Sequence, residues 1–241
     1  MRLRVGCCGF PVSRSRYYEN FDLVEVQQVF YRFPDIKLIR RWRAEAPPDF
    51  EFTLKASQII THPPKSPTYR RSGLNIEPRK EMDYGHFAGS EEVIAAWERT
   101  AEIGEVLGAR IIVFQTPASF ANCPDWEDRL RSFLSKIDRG GFSLGWEPRG
   151  NHDPERLRRV FEDTGLIHVI DPFRNAPLSS GTLYYRLHGR ARGYRYDYSE
   201  DELRELAMML KPRERSYILF NNTQMFKNAL ELRRILEDAF R

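Results

Sequence analysis

Short apolar runs recur along the chain, and most are followed by a stretch whose apolar residues return every three or four positions. The first pattern predicts buried strands and the second amphipathic helices. The strands are expected at Leu3–Cys8, Leu23–Val29, Phe50–Lys55, Ile111–Gln115, Phe142–Trp146, Ile167–Asp171, Leu183–His188 and Tyr217–Asn221. Helices are expected at Ile36–Ala46, Glu91–Leu107, Asp125–Asp138, Pro154–Thr164, Glu200–Leu210 and Gln224–Phe240. Asp153-Pro154 is a cap followed by a first-turn proline. Gly108 and Gly165 stand where helices end. The segments after the first and sixth strands predict only short or irregular helices.

Eight strands alternating with helices over 241 residues match a (β/α)8 TIM barrel, which typically runs to ~250 residues. A doubly wound open sheet would want fewer strands or a glycine-rich phosphate turn, and neither GxGxxG nor GxxxxGK[ST] is present. No linker or composition shift divides the chain, so residues 1–241 are expected to form one domain. Ser57–Ser90 lacks periodicity and carries Pro63, Pro64, Pro67 and Pro78 among basic residues. It reads as a long insertion after the third strand, on the face where barrels keep their active sites.

Period-two alternation puts Tyr184, Arg186 and His188 on one face of the seventh strand. A buried arginine and histidine on one face demand partners. The same alternation supplies them at the C-terminal ends of other strands: Glu25, Gln27, Thr53, Lys55, Gln115, Glu147, Arg149, Asp171 and Asn221. In a barrel these ends meet at one mouth, where Glu25, Glu147 and Asp171 would balance Lys55, Arg149 and Arg186.

Hydrophobic residues make up 41% of the chain and charged residues 30%, with a net charge of +4. This is the balance of a globular protein rather than a polycation. No apolar run approaches a membrane span, and the start MRLRVGCCGF is too short in its apolar part for a signal peptide, so a cytoplasmic location is expected. Most basic residues are arginine, which suits phosphate and carboxylate. Cys7, Cys8 and Cys123 show no zinc spacing and read as reduced and structural.

Three chemistries can use such a mouth. One is acid–base catalysis, with Glu147 or Asp171 as base and His188 as acid or electrophile. Another is a divalent metal on His188, Asp171 and Glu147, with His62 or Glu25. No ligand motif supports the metal, and the cations would repel it, so no cofactor is predicted. The third is an anion held by Lys55, Arg149, Arg186 and Arg190, with Gln115, Asn221 and Asn222 orienting it. Tyr194, Tyr196 and Tyr198 alternate with Arg192 and Arg195, and Tyr31 lies near the second strand end. Such a rim suits stacking on bases, a sugar or a lid.

These motifs resemble the YecE-like family, TIM-barrel proteins labelled a domain of unknown function. The likeness is nearly full length. It runs through Val24-Glu25-Val26, Phe30-Tyr31-Arg32-Phe33-Pro34, Phe50 to Ala56 with Thr61-His62, and Val113-Phe114-Gln115. It continues through Trp146-Glu147-Pro148-Arg149, Tyr185 to Arg190, and Phe220-Asn221-Asn222. Gln27 stands where the family commonly has asparagine, and Pro148 where it usually has phenylalanine. The resemblance implies the barrel and marks Lys55, Gln115, Glu147, Arg149, Asp171, His188 and Asn221 as the site. It implies no reaction. Its likeness to endonuclease-IV-like and sugar-isomerase-like barrels points to nucleic acid or phosphosugar ligands.

The expectation is an enzyme, a hydrolase or isomerase, acting at the mouth on an anionic, phosphate-bearing substrate, nucleic acid first. Glu147 would be the base and His188 the acid, while Lys55 and Arg186 stabilise negative charge. Glu25, Gln27, Tyr31, His62, Gln115, Arg149, Arg190, Tyr196, Asn221 and Asn222 would contact substrate. The alternatives are a metal-dependent hydrolase or isomerase, a regulatory small-molecule-binding barrel, and a non-enzymatic nucleic-acid-binding barrel. The last would use Arg70, Arg71, Arg79, Lys80, Arg192 and Arg195.

Overall fold

The strands close on themselves. In the computed structural model, which describes residues 2–190, 193–210 and 215–239, eight parallel strands pair in chain order and the last returns to the first. They are β1 (Arg2–Cys8), β2 (Leu23–Val26), β3 (Glu51–Lys55), β4 (Ile111–Gln115), β5 (Ser143–Glu147), β6 (Ile167–Ile170), β7 (Leu183–Leu187) and β8 (Arg215–Phe220). The main outer helices are α1 (Arg14–Asn20), α3 (Ile36–Glu45), α5 (Glu91–Leu107), α6 (Trp126–Lys136), α7 (Pro154–Thr164), α8 (Glu200–Met209) and α9 (Met225–Ala239). Two single turns, α2 (Gln28–Tyr31) and α4 (Gln58–Thr61), lie on the mouth side. Residues 171–182 join β6 to β7 without a helix.

Two differences from the sequence reading have local causes. The second strand ends at Val26 because Gln27 already has helical dihedrals and caps α2. Helix α1 has no detectable periodicity because Tyr17 is its single buried residue. That tyrosine nonetheless joins β1 to β2. Their ladder begins only at Cys7↔Val24. Below it, the Tyr17 hydroxyl accepts from the Cys7 N–H at 2.8 Å and donates to the Leu23 carbonyl at 2.8 Å. Gly6 makes room, since a Cβ there would lie 2.2 Å from the Leu23 oxygen.

Alternation along the strands separates two cores. Cys8, Leu23, Ile111, Val113, Ile167, Val169, Tyr184, Tyr217 and Leu219 fill the barrel interior. Cys7, Val24, Phe52, Ile112, Phe114, Trp146 and Leu187 pack outward under the helices. Each large apolar side chain so buried contributes about 1.5–3 kcal/mol. The floor is polar: Glu51 pairs with Arg4 at 3.0 Å and accepts the Tyr217 hydroxyl. The floor and the packed interior leave the C-terminal mouth as the end where chemistry can occur.

The insertion after β3 is tied at its neck. Gly85, His86 and Phe87 donate to the carbonyls of Ile59, Thr61 and Ile60 at 2.8, 3.2 and 2.9 Å. All three residues have positive φ, at 75°, 49° and 52°. Phe87 then plugs into the outer core against Phe114, Phe120 and Phe133.

Candidate active site

Arg186 organises the mouth. It points inward from β7 and is fully buried. Its Nη2 meets Glu25 Oε1 at 2.9 Å, and its Nη1 meets both Glu147 and Gln115, the latter at 3.0 Å. The Nη2 contact is an ion pair without good hydrogen-bond alignment, and Nε has no hydrogen-bond acceptor among the described residues. Burial works against the cation, but Glu25 and Glu147 outweigh it and hold Arg186 charged. The two carboxylates are spoken for on every side. Glu25 also takes hydrogen bonds from Gln27 and, at 2.7 Å, from the Tyr184 hydroxyl, which lies 2.7 Å from Thr53 Oγ1. Glu147 Oε1 accepts from Arg149 Nε at 2.6 Å.

Burial alone would raise the Glu147 carboxyl. Arg186, then Arg149, overcome that and hold it well below the usual carboxylate range. Glu147 is therefore a fixed anion with both oxygens engaged, a poor general base. His188 also differs from expectation. Its Nε2 lies 3.0 Å from Arg149 Nη2. A guanidinium only donates, so Nε2 accepts and the ring proton sits on Nδ1. Nδ1 faces Asp171 Oδ2 at 3.9 Å. Burial, reinforced by Arg186, Arg149 and Arg174, overrides Glu147 and pushes the imidazole down to about 3. His188 is thus neutral at pH 7, and it is not the ready acid expected of it. Asp171 is raised by burial despite hydrogen bonds from the His188 and Phe173 N–H groups.

Lys55 is the exception in this set. It ends β3, is only 6% exposed and has its Nζ 3.5 Å from the centre of the Phe30 ring. Among the described residues no carboxylate lies within ion-pair distance of it. Burial, then the Arg186 guanidinium, push the ammonium down to about 7, while Glu147 and Glu25 pull the other way. The ring face of Phe30 favours the cation by ~0.5–2 kcal/mol, less than burial removes. His62, 5.0 Å from Phe30 between ring centres, is held neutral by burial and by Lys55.

Beside this layer, a pocket of about 170 Å³ opens between the β5 and β6 ends. Glu147, Arg149, Asp171, Arg174 and His188 line it. Arg149 and Arg174 are partly exposed there. Arg174, three residues after Asp171, is a pocket residue that the sequence pattern does not single out.

The mouth thus brings together Glu25, Gln27, Lys55, Gln115, Glu147, Arg149, Asp171, Arg186 and His188, with His62 at the edge. Others stand apart. Tyr31 lies under Arg71, with 3.8 Å from the guanidinium carbon to the ring centre. Arg190 pairs with Glu205 on α8 and covers Phe173. Tyr196 donates to Glu202. Asn222 binds the Tyr196 carbonyl and Asn228, tying the β8 loop to the rim. Asn221, by contrast, stays at the mouth end of β8, where its backbone N–H donates to the Leu187 carbonyl. Arg192 lies outside the described residues.

A divalent cation does not fit this donor set. Glu25, Glu147 and the Nε2 of His188 are committed to Arg186, Arg149, Gln27 and Tyr184. Among the described residues no three His, Cys, Asp or Glu side chains converge as a metal site requires.

The family model of DUF72, described as a protein of unknown function, matches residues 13–241. The chain belongs to the DUF72 family. This is the family that the YecE-like motifs indicated. Among curated proteins, none is similar enough in sequence to match. The DUF72 protein of Enterococcus faecalis superposes with a TM-score of 0.74 at 19% identity, covering 98% of each chain. That of Thermotoga maritima gives 0.67 at 21%, covering 98% of this chain and 100% of the other. Endonuclease IV from Thermus thermophilus gives 0.54 at 14%, covering 98% of each. At these identities the likeness shows a shared barrel. No helix among the described residues is long and apolar enough to cross a membrane.

Proposed function

We propose that this DUF72 protein is an enzyme acting by proton transfer at the barrel mouth on an anionic, phosphate-bearing substrate. The observation that carries this reading is Lys55. A base works best when its pKa lies near the working pH, and the Lys55 amine, at about 7, is the mouth group poised there. Glu147 and His188, the pair expected from sequence, are instead held in single charge states. Their role is to fix Arg186 and Arg149. A strongly perturbed group with a stated physical cause in a cleft is a candidate functional residue.

The anion is assigned to the pocket at Arg149 and Arg174. Each guanidinium spends part of its fork on a carboxylate and keeps part exposed, which suits a phosphate. Endonuclease IV from Thermus thermophilus shares the barrel, which keeps nucleic acid among the substrates to try. Against a long polyanion track, three of the five lysines and arginines of the insertion pair with carboxylates, and Arg71 stacks on Tyr31. Lys65 meets Glu81 at 3.0 Å, Arg79 meets Glu77 at 2.6 Å and Lys80 meets Glu92 at 3.4 Å. Affinity for a nucleic-acid backbone comes from cations free to displace counterions. One gripped phosphate, on a small molecule or a strand terminus, fits better than a bound duplex.

The test is product formation from 5′-phosphorylated oligonucleotides and sugar phosphates, followed by mass spectrometry, for wild type and Lys55→Met. A general base is worth ~10²–10⁴-fold, so the variant should lose at least about a hundredfold. Equal product from both proteins would remove the proposal.

A further inference from the structure

We propose that Lys55 is a nucleophile that captures the carbonyl of a phosphorylated aldehyde or ketone as an imine. This rests on the reading of the mouth as a reaction centre with a free amine, and it names the substrate class for that site.

The carboxylates of the mouth are already in use. Glu25 and Glu147 lie in the same layer as Lys55 and are its natural partners. Yet Glu25 is bonded by Arg186, Gln27 and Tyr184, and Glu147 by Arg186 and Arg149. Both carboxylates are engaged without Lys55. A lysine placed for charge balance would be paired, whereas this one faces the Phe30 ring. Its lone pair is therefore not committed to any described group. An amine desolvated in an apolar setting beside another cation is the arrangement that activates lysine toward carbonyls. Phe30 supplies the apolar face and Arg186 the cation. The phosphate is expected at Arg149 and Arg174, in the pocket that Glu147 also lines.

The step balances without any redox partner. The Nζ lone pair adds to the carbonyl carbon, and the carbonyl π pair moves to oxygen, which takes up the proton that nitrogen releases. The hydroxyl then leaves as water with a proton from solvent, and the carbon–nitrogen double bond forms. The products are an iminium and one water. The iminium charge lies near Glu25 and Glu147, whose charges already act on Lys55.

The test incubates wild-type protein at pH 7 with D-glyceraldehyde 3-phosphate or with unphosphorylated glyceraldehyde, then adds sodium borohydride. Peptide mapping by mass spectrometry reads each lysine. The expected result is a reduced adduct at Lys55 at least about tenfold ahead of exposed lysines such as Lys65, favoured by the phosphorylated probe. That preference should fall in Arg149→Met. Adducts on exposed lysines with Lys55 unmodified would overturn the proposal. Lys55→Arg keeps a long basic side chain but cannot form an imine, and its turnover is read only once circular dichroism shows the native fold. If it loses turnover while wild-type Lys55 resists trapping, Lys55 is a base only: the proposed function stands and this inference falls. If Lys55→Arg retains turnover, the Lys55 reading fails in both.

Discussion

Replacing Arg186 with methionine removes the one cation that joins both buried glutamates. Breaking a buried ion pair by deleting one partner costs about 3–5 kcal/mol. Arg186 has two such partners, but the losses do not double. Glu147 keeps Arg149, and Glu25 keeps Tyr184 and Gln27. We expect a loss of about 4 kcal/mol at pH 8. The pH dependence follows from Glu147. In the native protein its carboxyl is held low, so it contributes stability above the ordinary 4.5, lost as pH falls toward the native value. Without Arg186, burial is less opposed and the carboxyl rises. Stability then falls as pH climbs past 4.5. The deficit of Arg186→Met should therefore shrink by about 1–2 kcal/mol at pH 5, roughly one pH unit's worth. Adding Glu147→Gln should recover about half of it at pH 8. Urea unfolding at both pH values measures this. A loss under about 1 kcal/mol at pH 8, or one identical at pH 5, would refute the buried charge network.

Lys55→Met tests the opposite sign. The native ammonium is at about 7 against an ordinary 10.5, a difference worth about 5 kcal/mol. Folding is penalised most below pH 7, and the penalty fades as pH rises to 10.5, so the variant should be the more stable protein at pH 6. Its advantage should narrow by about 4 kcal/mol by pH 10, and a pH-independent gap would contradict this. His188 should show Nδ1–H, neutral from pH 5 to 8, in ¹⁵N NMR, and a titration near 6.5 would show that Arg149 does not hold it. Gly6→Ala should cost more than ~2 kcal/mol in urea unfolding, because its Cβ meets the Leu23 oxygen, while Gly141→Ala, which meets nothing within 4 Å, should be near neutral.

Period two and helix spacing made the barrel legible, because parallel strands buried on both sides leave a strong apolar signal. Tyr17 and α1 escaped because one buried residue in seven makes no stripe. The inward polar set was readable for the same reason as the strands: Glu25, Lys55, Gln115, Glu147, Arg186 and His188 all fall on one parity. Their pairing was not readable. Arg186 reaches across the barrel to Glu25, and closure, not sequence distance, sets that contact. Charge states depend on those contacts, so Glu147 and His188 drew roles from residue type, whereas their surroundings hold each in one charge state. Tyr184 was seen on the inward face but not as the second donor to Glu25. Lys55 was read as a charge stabiliser, because nothing in the sequence shows that the glutamates are already taken.

The most direct measurement is the titration of the Lys55 side chain by ¹⁵N NMR, with its resonance assigned by its loss in Lys55→Met. The expected midpoint is near 7, with a neutral amine across much of the physiological range. A midpoint at the ordinary lysine value, near 10.5, would contradict it and leave the mouth a closed charge network without a reactive group.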